Sequence, residues 1–369
     1  MALTITKVTT TNVRIPLKVP KGIATKSYSY RDYTVFEIET AEGINGWSYV
    51  WGLPAVKAMA DLYANLIVGE DACFISKIWN KLFSQMDRWD RSGVATRMLS
   101  GIDMALWDIV GKAAGMPIYK LFGPARSDIE VYYSGGYYPA EYKNRSELFT
   151  YLEQDIGSAI DRGFKSFKMR IGRTTPSADV ERVAMVRELI GPDAKLMLDA
   201  NCGYDPNVIV GLARKLEPYD LTWLEEPVGV DDFAGCRYLA ERTSIPIALG
   251  ENHFGLWQFA EIIEKKCARI IQADPTVMGG FTEYKRLSGL CAANGLSMAP
   301  HCFHDISIQM GLAIPEVSIM EYMDLEGDVI NVQAIIENPV EAHDGRITAH
   351  DRPGHGLILD RKAVERFKL

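Results

Sequence analysis

The second part of the chain alternates short apolar runs with helical stretches, and this rhythm constrains the fold more than any other feature of the sequence. The stretches between successive runs have the length and the apolar spacing typical of helices. Strands joined in this way by crossover helices lie parallel, and eight of them in about 190 residues predict a closed α/β barrel. The eight predicted strands are residues 131–134, 166–169, 195–198, 221–224, 246–249, 270–273, 296–299 and 317–320.

An open, doubly wound sheet is the alternative fold with the same order of elements. The dinucleotide-binding form of that sheet carries a G-x-G-x-x-G sequence after its first strand. No such sequence follows residues 131–134, and this difference favours the barrel.

The first part of the chain has a different order, with strands first and helices after them. β-Branched residues are frequent in 3–15 and 33–40, which predicts strands in both segments. We therefore expect an α+β domain over residues 1–127, a barrel domain over 128–329, and a return of 330–369 to the first domain. The predicted helices of the first domain cover residues 54–68, 76–87 and 93–114.

The composition excludes several classes of protein. The chain has 369 residues, of which 47% are hydrophobic and 24% charged, as in globular proteins rather than disordered chains. Lys and Arg number 40 against 48 Asp and Glu, for a formal net charge of −8, so a general nucleic-acid binder is not expected. We see no signal pattern, no membrane-spanning run and no disulfide or zinc spacing among the six cysteines. We expect a cytoplasmic protein that binds neither nucleic acid nor membrane.

Charged or titratable residues follow seven of the eight predicted strands, at the point where each strand ends. In a parallel barrel the carboxyl ends of all strands lie on one face, where active sites are found. We therefore expect these side chains to lie close together. They are Lys168, Arg170, Asp199, Asn201, Glu225, Glu226, Glu251, Asn252, Asp274, His301 and Glu321.

Three of these carboxylates, Asp199, Glu225 and Glu251, follow one another at intervals of 26 residues. One strand–helix unit separates each pair, so the three should lie on neighbouring strands at similar height. Like charges this close raise one another's pKa unless a cation balances them. Oxygen ligands without Cys or His favour Mg²⁺. The alternative is that each carboxylate caps the helix after its own strand, and the regular spacing favours the metal site.

His301 ends the strand that follows the one ending at Asp274. A carboxylate beside a histidine fixes the tautomer of the ring and stabilises its charged form, which makes a proton carrier near neutral pH. A structural histidine is the alternative. We assign His304 to a helix start or to specificity rather than to metal binding. Lys168 would offset the negative charge around an anionic substrate, and Arg170 points to the same side of its strand.

In their order along the chain, these residues resemble the mandelate racemase/muconate lactonizing enzyme group of the enolase superfamily. The matching segments are K-x-R, LDAN, LEEP, GEN, ADPTVMGG, PH and ME at the predicted strand ends, and GIDMALWDIVGKAAGMPIYKLFG in the first domain. The resemblance covers nearly the whole chain. It implies a modified TIM barrel, (β/α)₇β, under an α+β capping domain that is formed by residues 1–127 and completed by 330–369.

The resemblance also implies roles for individual residues. Asp199, Glu225 and Glu251 correspond to the magnesium ligands of the family, and Asp274 and His301 to its His–Asp pair.

Further implied roles concern the substrate. Lys168 corresponds to the first lysine of the family's Lys-x-Lys motif, Glu321 to the acid that hydrogen-bonds the substrate carboxylate, and Asn201 to a polar pocket residue. A flexible loop around residues 18–30 is expected to close the pocket and select the substrate. Candidates for substrate contacts at the pocket rim are Lys26, Tyr28, Tyr30, Trp51 and Tyr137.

The shared reaction of the family is removal of the proton α to a carboxylate, with Mg²⁺ stabilising the enediolate that results. A racemase needs a proton carrier on each face of the α-carbon, and this chain has Arg170 where the family has its second lysine. The pKa of arginine exceeds about 12, so Arg170 is a poor base, and His301 is the one clear carrier. We therefore expect a lyase that dehydrates an acid sugar, an aldonate or aldarate, to a 2-keto-3-deoxy acid. Lys168 and a protonated Glu321 would help to stabilise the enediolate charge.

Two alternatives remain open. A racemase, epimerase or cycloisomerase on the same scaffold would act on a carboxylate or lactone without making a 2-keto acid. A non-catalytic barrel that binds sugar acids is more distant, because a binding protein has no need of a base paired with an acid. In each case the partner is a small carboxylate, and the resemblance implies a homo-oligomer.

Overall fold

The first part of the chain folds into an antiparallel sheet followed by helices. The computed structural model describes residues 2–52, 54–87 and 90–369. The first elements are β1 (Ile5–Gly22), β2 (Ser27–Thr40), β3 (Gly46–Trp51), α1 (Pro54–Ala64), α2 (Ile75–Gln85), α3 (Val94–Ala113) and α4 (Ile118–Phe122). β2 lies between β1 and β3 in the sheet. Strands rich in β-branched residues and amphipathic helices account for this order, as the sequence predicts.

Helix α3 packs closely against the sheet. A Cβ atom on Gly101 would lie 2.4 Å from the ring of Phe36, and one on Gly46 would lie 2.2 Å from the carbonyl oxygen of Ala105. Only glycine permits these two approaches. On its other side α3 contacts helices of the barrel, so it links the first sheet to the rest of the molecule.

The segment around residues 18–30 is a hairpin and not the predicted loop. β1 and β2 pair within this segment, with Lys21 opposite Tyr28. The amide of Ile23 donates to the carbonyl of Lys26 at 2.9 Å and closes the turn. A register shift between Pro16 and Lys21 bends the hairpin, as bulges do in antiparallel pairs. The prediction of a loop is wrong because alternating aromatic and aliphatic residues continue the two strands almost to their turn.

Eight parallel strands form the second part of the chain, and the predicted α/β barrel is confirmed. β5 (Tyr138–Pro139) lies outside the barrel and pairs with β1. The barrel strands are β4 (Ile129–Ser134), β6 (Ser166–Arg170), β7 (Lys195–Asp199), β8 (Leu221–Glu225), β9 (Ile247–Leu249), β10 (Ile270–Ile271), β11 (Ser297–Met298) and β12 (Met320–Tyr322). Their order is β11–β10–β9–β8–β7–β6–β4–β12.

Helices cross over between successive barrel strands, which makes the strands parallel. They are α5 (Arg145–Asp161), α6 (Pro176–Ile190), α7 (Pro206–Leu216), α8 (Phe233–Ala240), α9 (Gly255–Glu264), α10 (Pro275–Met278), α11 (Gly280–Ala293) and α12 (His304–Ala313). A short 3₁₀ helix, Glu217–Tyr219, follows α7.

The last barrel strand lies slightly later in the chain than the predicted 317–320. The amide of Ser318 donates to the carbonyl of Met298 at 3.0 Å, whereas pairing with β4 begins at Met320. A closing strand must bond to two neighbours that are staggered in a tilted barrel. The chain therefore bonds to β11 first and to β4 a few residues later.

Apolar side chains fill the barrel below its carboxyl end. Because side chains alternate along a strand, Trp223 and Glu225 of β8 both point inward, one in the apolar layer and one above it. The layer consists of Tyr132, Met197, Trp223, Ala248, Ala299 and Ile319.

The C-terminal segment contacts both parts of the molecule. It contains a 3₁₀ helix (Val332–Ile335), β13 (Arg346–Ile347), which pairs antiparallel with β4, and α13 (Arg361–Phe367), which contacts β1. The amide of Leu369 donates to the carbonyl of Asn12 at 3.0 Å. Within the described ranges, no helix has the length and apolar composition needed to cross a membrane.

Candidate active site

A cavity of about 440 Å³ lies where the carboxyl ends of the barrel strands face the first domain. Side chains from both parts of the chain line it, as expected for a site at the carboxyl face of a barrel. The barrel contributes Arg170, Asp199, Asn201, Glu226, Glu251 and His301, and the first domain contributes Ile23, Lys26, Tyr28, Arg31, Trp51 and Arg97.

The structure brings together the three carboxylates that the regular spacing singles out. Asp199 and Glu225 end the paired strands β7 and β8 and lie opposite each other, and Glu251 follows β9. One oxygen from each of the three residues lies within 4.8 Å of the others. An oxygen-only set at this spacing fits a Mg²⁺ ion that takes one oxygen from each carboxylate and leaves positions for water or substrate.

Neighbouring donors fix the direction of two of these carboxylates. Glu225 Oε2 accepts hydrogen bonds from Trp223 Nε1 at 2.9 Å and Gln272 Nε2 at 2.6 Å. Asp199 accepts from the backbone N–H and the side-chain amide of Asn201 at 2.8 and 2.9 Å. Ligands that are held in this way need little reorganisation when they bind a metal.

Burial and neighbouring charge raise the pKa of two of these carboxylates, Asp199 and Glu251. Burial raises the pKa of Asp199 to about 7, and the charge of Glu225 adds to the rise. Burial raises the pKa of Glu251 as well. Close, buried carboxylates resist losing all their protons, and a divalent cation would remove that cost.

His301 lies between two carboxylates after β11. Its Nδ1 is 3.1 Å from Asp274 Oδ2, and its Nε2 is 3.4 Å from Glu251 Oε2. The other oxygen of Asp274 accepts the backbone N–H of Thr276 at 2.7 Å, so this carboxylate is fixed. Burial alone would lower the pKa of His301, but Glu251 and Asp274 outweigh it and raise the pKa to about 10. The ring is therefore built to carry a proton beside the carboxylate cluster.

Lys168 contributes a buried positive charge. Its Nζ lies 2.6 Å from Glu225 Oε1 and 2.8 Å from Glu321 Oε1. Burial would lower the pKa of Lys168, but the two carboxylates outweigh burial and raise it well above the ordinary value. Lys168 is thus an ammonium group and a poor proton acceptor.

Arg170 is held in place on the same strand. Its guanidinium donates to Ser134 Oγ at 2.8 Å and to the carbonyl of Gly135 at 2.9 Å, and Nε lies 3.6 Å from Asp199 Oδ2. Burial would lower the pKa of Arg170, but Tyr137 and Asp199 outweigh burial and raise it. Arg170 therefore supplies fixed positive charge and not a base.

Glu321 of β12 is an ionised carboxylate, which differs from the expected protonated group. It accepts hydrogen bonds from Ser134 Oγ at 2.5 Å and from the backbone N–H of Cys302 at 2.7 Å. Burial would raise the pKa of Glu321, but the charges of Lys168 and His301 outweigh it and lower the pKa well below the usual range. In this state Glu321 accepts hydrogen bonds and balances the charge of Lys168.

The turns after the barrel strands contain residues in the left-handed region. Asn201, Glu226 and Cys302 have φ angles of 42°, 39° and 55°. This conformation is costly for most side chains and is maintained where the surrounding structure requires it, commonly at functional sites. Here it turns the chain sharply directly after three strand ends of the cavity.

The residues predicted to contact substrate lie around the same cavity. Aromatic rings hold two cations in its wall: Tyr28 lies 3.7 Å from Cζ of Arg31, and Tyr137 lies 3.9 Å from Cζ of Arg170. The predicted contact residues that line the cavity are Lys26, Tyr28, Trp51, Tyr137 and Asn201.

Two further candidates lie elsewhere. Tyr30 is 41% exposed and packs against Arg14, away from the cavity lining. His304 is the first residue of α12, and its Nε2 lies 3.1 Å from the carbonyl of Val340. His304 therefore has the helix-start position that the sequence predicts.

Several residues in or around the cavity were not predicted from the sequence. Trp223 and Gln272 orient Glu225 from inside the barrel, and Arg97 of α3 lines the cavity. Trp223 precedes Glu225 by two residues, and Gln272 precedes Asp274 by two residues. Strand alternation places such pairs on one face and could have identified both. The sequence contains no comparable signal for Arg97.

Comparison with known proteins gives two family matches that together span most of the chain. Residues 5–123 match the family described as mandelate racemase / muconate lactonizing enzyme, N-terminal domain, and residues 152–363 match the enolase C-terminal domain-like family.

Individual relatives are similar along almost their whole length. The chain is 31% identical over 338 residues to 3,6-anhydro-alpha-L-galactonate cycloisomerase of Streptomyces coelicolor, covering 89% of this chain and 90% of that protein. It is also 31% identical over 338 residues to arabinonate dehydratase of Saccharolobus solfataricus, with 90% and 89% covered. The crystal structure of L-talarate/galactarate dehydratase from Salmonella typhimurium LT2, liganded with Mg and L-lyxarohydroxamate, matches with a TM-score of 0.91 at 26% identity, covering 100% of this chain and 94% of that chain.

Proposed function

The chain belongs to the mandelate racemase/muconate lactonizing enzyme group of the enolase superfamily, and we propose that it is a Mg²⁺-dependent lyase that dehydrates an acid sugar to a 2-keto-3-deoxy acid. The observation that supports this proposal most directly is one arrangement of charged side chains. The three carboxylates of the triad lie together, His301 lies beside Glu251, and the cations Lys168 and Arg170 lie on strand β6. Relatives with the names of acid-sugar dehydratases support the substrate class.

Asp199, Glu225 and Glu251 would hold the metal, because each offers an oxygen to a common point. Bound there, Mg²⁺ would supply positive charge beside the substrate carboxylate and make the neighbouring C–H bond more acidic. Lys168 and Arg170 add fixed positive charge to the same region. The solved relative with bound Mg supports this choice of ion.

His301 moves the protons in this proposal. With its charge balanced by a bound divalent cation, Glu251 would no longer hold His301 in its protonated form. The neutral imidazole then accepts the proton on C2 of the sugar acid, and Asp274, 3.1 Å away, stabilises the imidazolium that forms. The imidazolium then donates a proton to the hydroxyl group on C3, which leaves as water. The enol that remains tautomerises to the 2-keto-3-deoxy acid, so the reaction balances with no further reactant.

Arg170 favours dehydration over racemisation. Racemisation requires a second group that returns a proton to the opposite face of C2. Arg170 is bonded to Ser134 and Gly135, and its pKa is raised above the ordinary value. It therefore binds and orients the substrate and leaves proton transfer to His301.

A panel of aldonates and aldarates, incubated with Mg²⁺ and assayed with semicarbazide, tests the proposal. We expect one or a few members of the panel to give a 2-keto acid, with no product after metal chelation. Conversion to an isomer without 2-keto acid would refute dehydration. Tight binding without any conversion would indicate a sugar-acid-binding protein.

Cycloisomerisation is the second candidate, because a relative at 31% identity is named as a cycloisomerase. In that reaction His301 can act both as the base that removes the proton and as the acid that returns one. The same panel, extended to lactones and anhydro sugar acids and followed by NMR, distinguishes the two reactions by their products.

The assembly and location of the chain are further parts of the proposal. We propose a homo-oligomer, from the resemblance to the family, and a cytoplasmic location. All six cysteines are free, which suits a reducing compartment.

A further inference from the structure

Arg97 is a cation in the wall of the cavity that the proposed reaction does not use. It lies on α3 of the first domain, and its side chain lines the cavity together with Val277 and Asn252. The nearest aromatic ring is that of Phe254, with its centroid 5.7 Å from Arg97 Cζ. Arg97 therefore lies on the side of the cavity formed by the turns after β9 and β10.

The guanidinium of Arg97 has no polar partner in residues 2–52, 54–87 and 90–369. Its side chain makes no ion pair and no hydrogen bond there, and its backbone amide donates to the carbonyl of Gly93 at 3.0 Å. Asp274 is the nearby negative charge, but its oxygens bind Thr276 and His301. The five N–H donors of this cavity-lining side chain are thus left without a partner among the described residues.

Two other partly buried arginines have several hydrogen-bond partners, in contrast to Arg97. Arg126 donates to the carbonyls of Gly311, Ile314, Pro315 and Val317. Arg187 likewise donates to backbone carbonyls around the turn after α6. Burying a guanidinium away from water costs free energy unless its N–H groups find new partners. The hydrogen bonds of Arg126 and Arg187 offset this cost, and Arg97 has no such bonds.

The position of Arg97 in its helix does not explain its presence either. It is the fourth residue of α3, which begins at Val94. The amino end of a helix carries partial positive charge, so a cation there is unfavourable. A residue that weakens its helix and lacks a partner is best explained by a ligand that it binds.

We propose that Arg97 binds a second carboxylate at the distal end of the substrate, so that the preferred substrate is a dicarboxylic sugar acid, an aldarate, rather than an aldonate. This inference rests on the proposed function. One carboxylate of the substrate lies at the barrel wall, and the other pairs with the planar, two-pronged donor set of Arg97. A terminal hydroxymethyl group would leave those donors unpaired.

Equilibrium binding in an inactive background tests the assignment. In the His301→Asn variant with Mg²⁺, calorimetry compares matched pairs: galactarate with galactonate, glucarate with gluconate, and mannarate with mannonate. For the pair that binds, we expect the aldarate to bind about 10- to 100-fold more tightly, as a charge-assisted hydrogen-bonded pair allows. Adding Arg97→Gln should remove this preference and leave aldonate binding within about twofold, and Arg97→Lys should restore part of it.

A control and a second readout exclude indirect effects. Arg91→Gln removes the same charge from an exposed residue outside the cavity lining, and it should not change the aldarate preference. If Arg97 acted only through the field at His301, Arg97→Gln in the active enzyme would shift the pH profile and lower kcat equally for both substrates. We expect instead a rise in KM for the aldarate alone.

The outcomes separate this inference from the function on which it rests. Equal binding of aldarate and aldonate by the protein that retains Arg97, or equal loss for both in Arg97→Gln, would refute the role of Arg97 and leave the dehydratase proposal intact. Failure of every sugar acid to bind would refute the proposed function itself.

Discussion

The two walls of the cavity are built on different principles. On the barrel wall, every charged group has a close partner: Lys168 lies 2.6 Å from Glu225, and His301 lies 3.1 Å from Asp274. On the wall of the first domain, Arg31 stacks on Tyr28 and donates to the backbone carbonyl of Val329 rather than to a carboxylate, and the guanidinium of Arg97 has no polar partner in the described residues. The charged groups of the barrel wall are thus fixed by one another. The opposite wall offers aromatic rings and unpaired N–H donors that a substrate can contact.

This difference separates chemistry from selection. Groups that act on developing charge must be oriented before the reaction, because reorganisation during it would cost much of the catalytic gain. Groups that select among sugars need only fit the part of the substrate that does not react. Changes to the barrel wall should therefore lower turnover, and changes to the opposite wall should alter KM and substrate preference.

The largest effect is expected for His301→Asn. Because His301 serves as both base and acid in the proposed reaction, its loss should lower kcat by at least about 10⁴-fold. The assay is 2-keto acid formation on the best substrate of the panel. Circular dichroism and the Mg²⁺-induced rise in Tm should match the wild type, which shows that the fold and metal site persist.

Residual activity above a few per cent in His301→Asn would contradict the division between the walls of the cavity. It would place the base near Lys168 or Arg170, on strand β6. A rate profile without a step attributable to histidine would then support the same conclusion.

Loss of one triad carboxylate should have the next largest effect. Glu251→Gln removes one charged ligand, and we expect turnover to fall by about 10²- to 10³-fold. Added Mg²⁺ should raise the Tm of the wild type by a few degrees through binding to the native state, and this rise should be absent in Glu251→Gln.

A buried carboxylate outside the cavity provides the matched control for this variant. Glu283 of α11 accepts the backbone N–H of Leu256 and pairs with Arg286. Glu283→Gln is expected to keep the Mg²⁺-induced rise in Tm even if the protein is less stable. Equal Mg²⁺ responses in all three proteins would show that the ion binds elsewhere.

The barrel wall could be predicted from the sequence because its residues follow a rule of position. Parallel strands place their carboxyl ends on one face, so Asp199, Glu225 and Glu251 are brought together by the repeat of strand and helix alone. The ionised state of Glu321 could not be predicted in this way, because it depends on a lysine that lies two strands away in the barrel.

The opposite wall follows no such rule. The resemblance to the family implied a flexible loop around residues 18–30, and the pairing of β1 with β2 shows an ordered hairpin there instead. Arg97 reaches the cavity because α3 packs across the barrel helices. Such positions depend on how the two domains dock, and periodicity within either domain does not contain that information.

Arg170→Lys is expected to have a moderate effect and to test the one-sided transfer of protons. Loss of the bonds to Ser134 and Gly135 should lower turnover by about tenfold. Wild-type enzyme in D₂O should exchange the α-proton of one C2 epimer of the substrate, and Arg170→Lys should begin to exchange both. Exchange of both epimers by the wild type would show that Arg170 already transfers protons.

The smallest effect is expected on the wall of the first domain, at Tyr28. Its ring covers the guanidinium of Arg31 at 3.7 Å, a contact worth about 0.5–2 kcal/mol. Tyr28→Leu keeps an apolar side chain and removes the aromatic face, so KM should rise about threefold to tenfold while kcat stays within about twofold. Steady-state kinetics on the best substrate measure both.

Tyr30→Leu, at an exposed residue of the same strand outside the cavity lining, is the matched control and should change neither constant. A fall in kcat as large as that of Arg170→Lys would mean that the hairpin orients the reacting atoms, and the two walls would then share the chemistry.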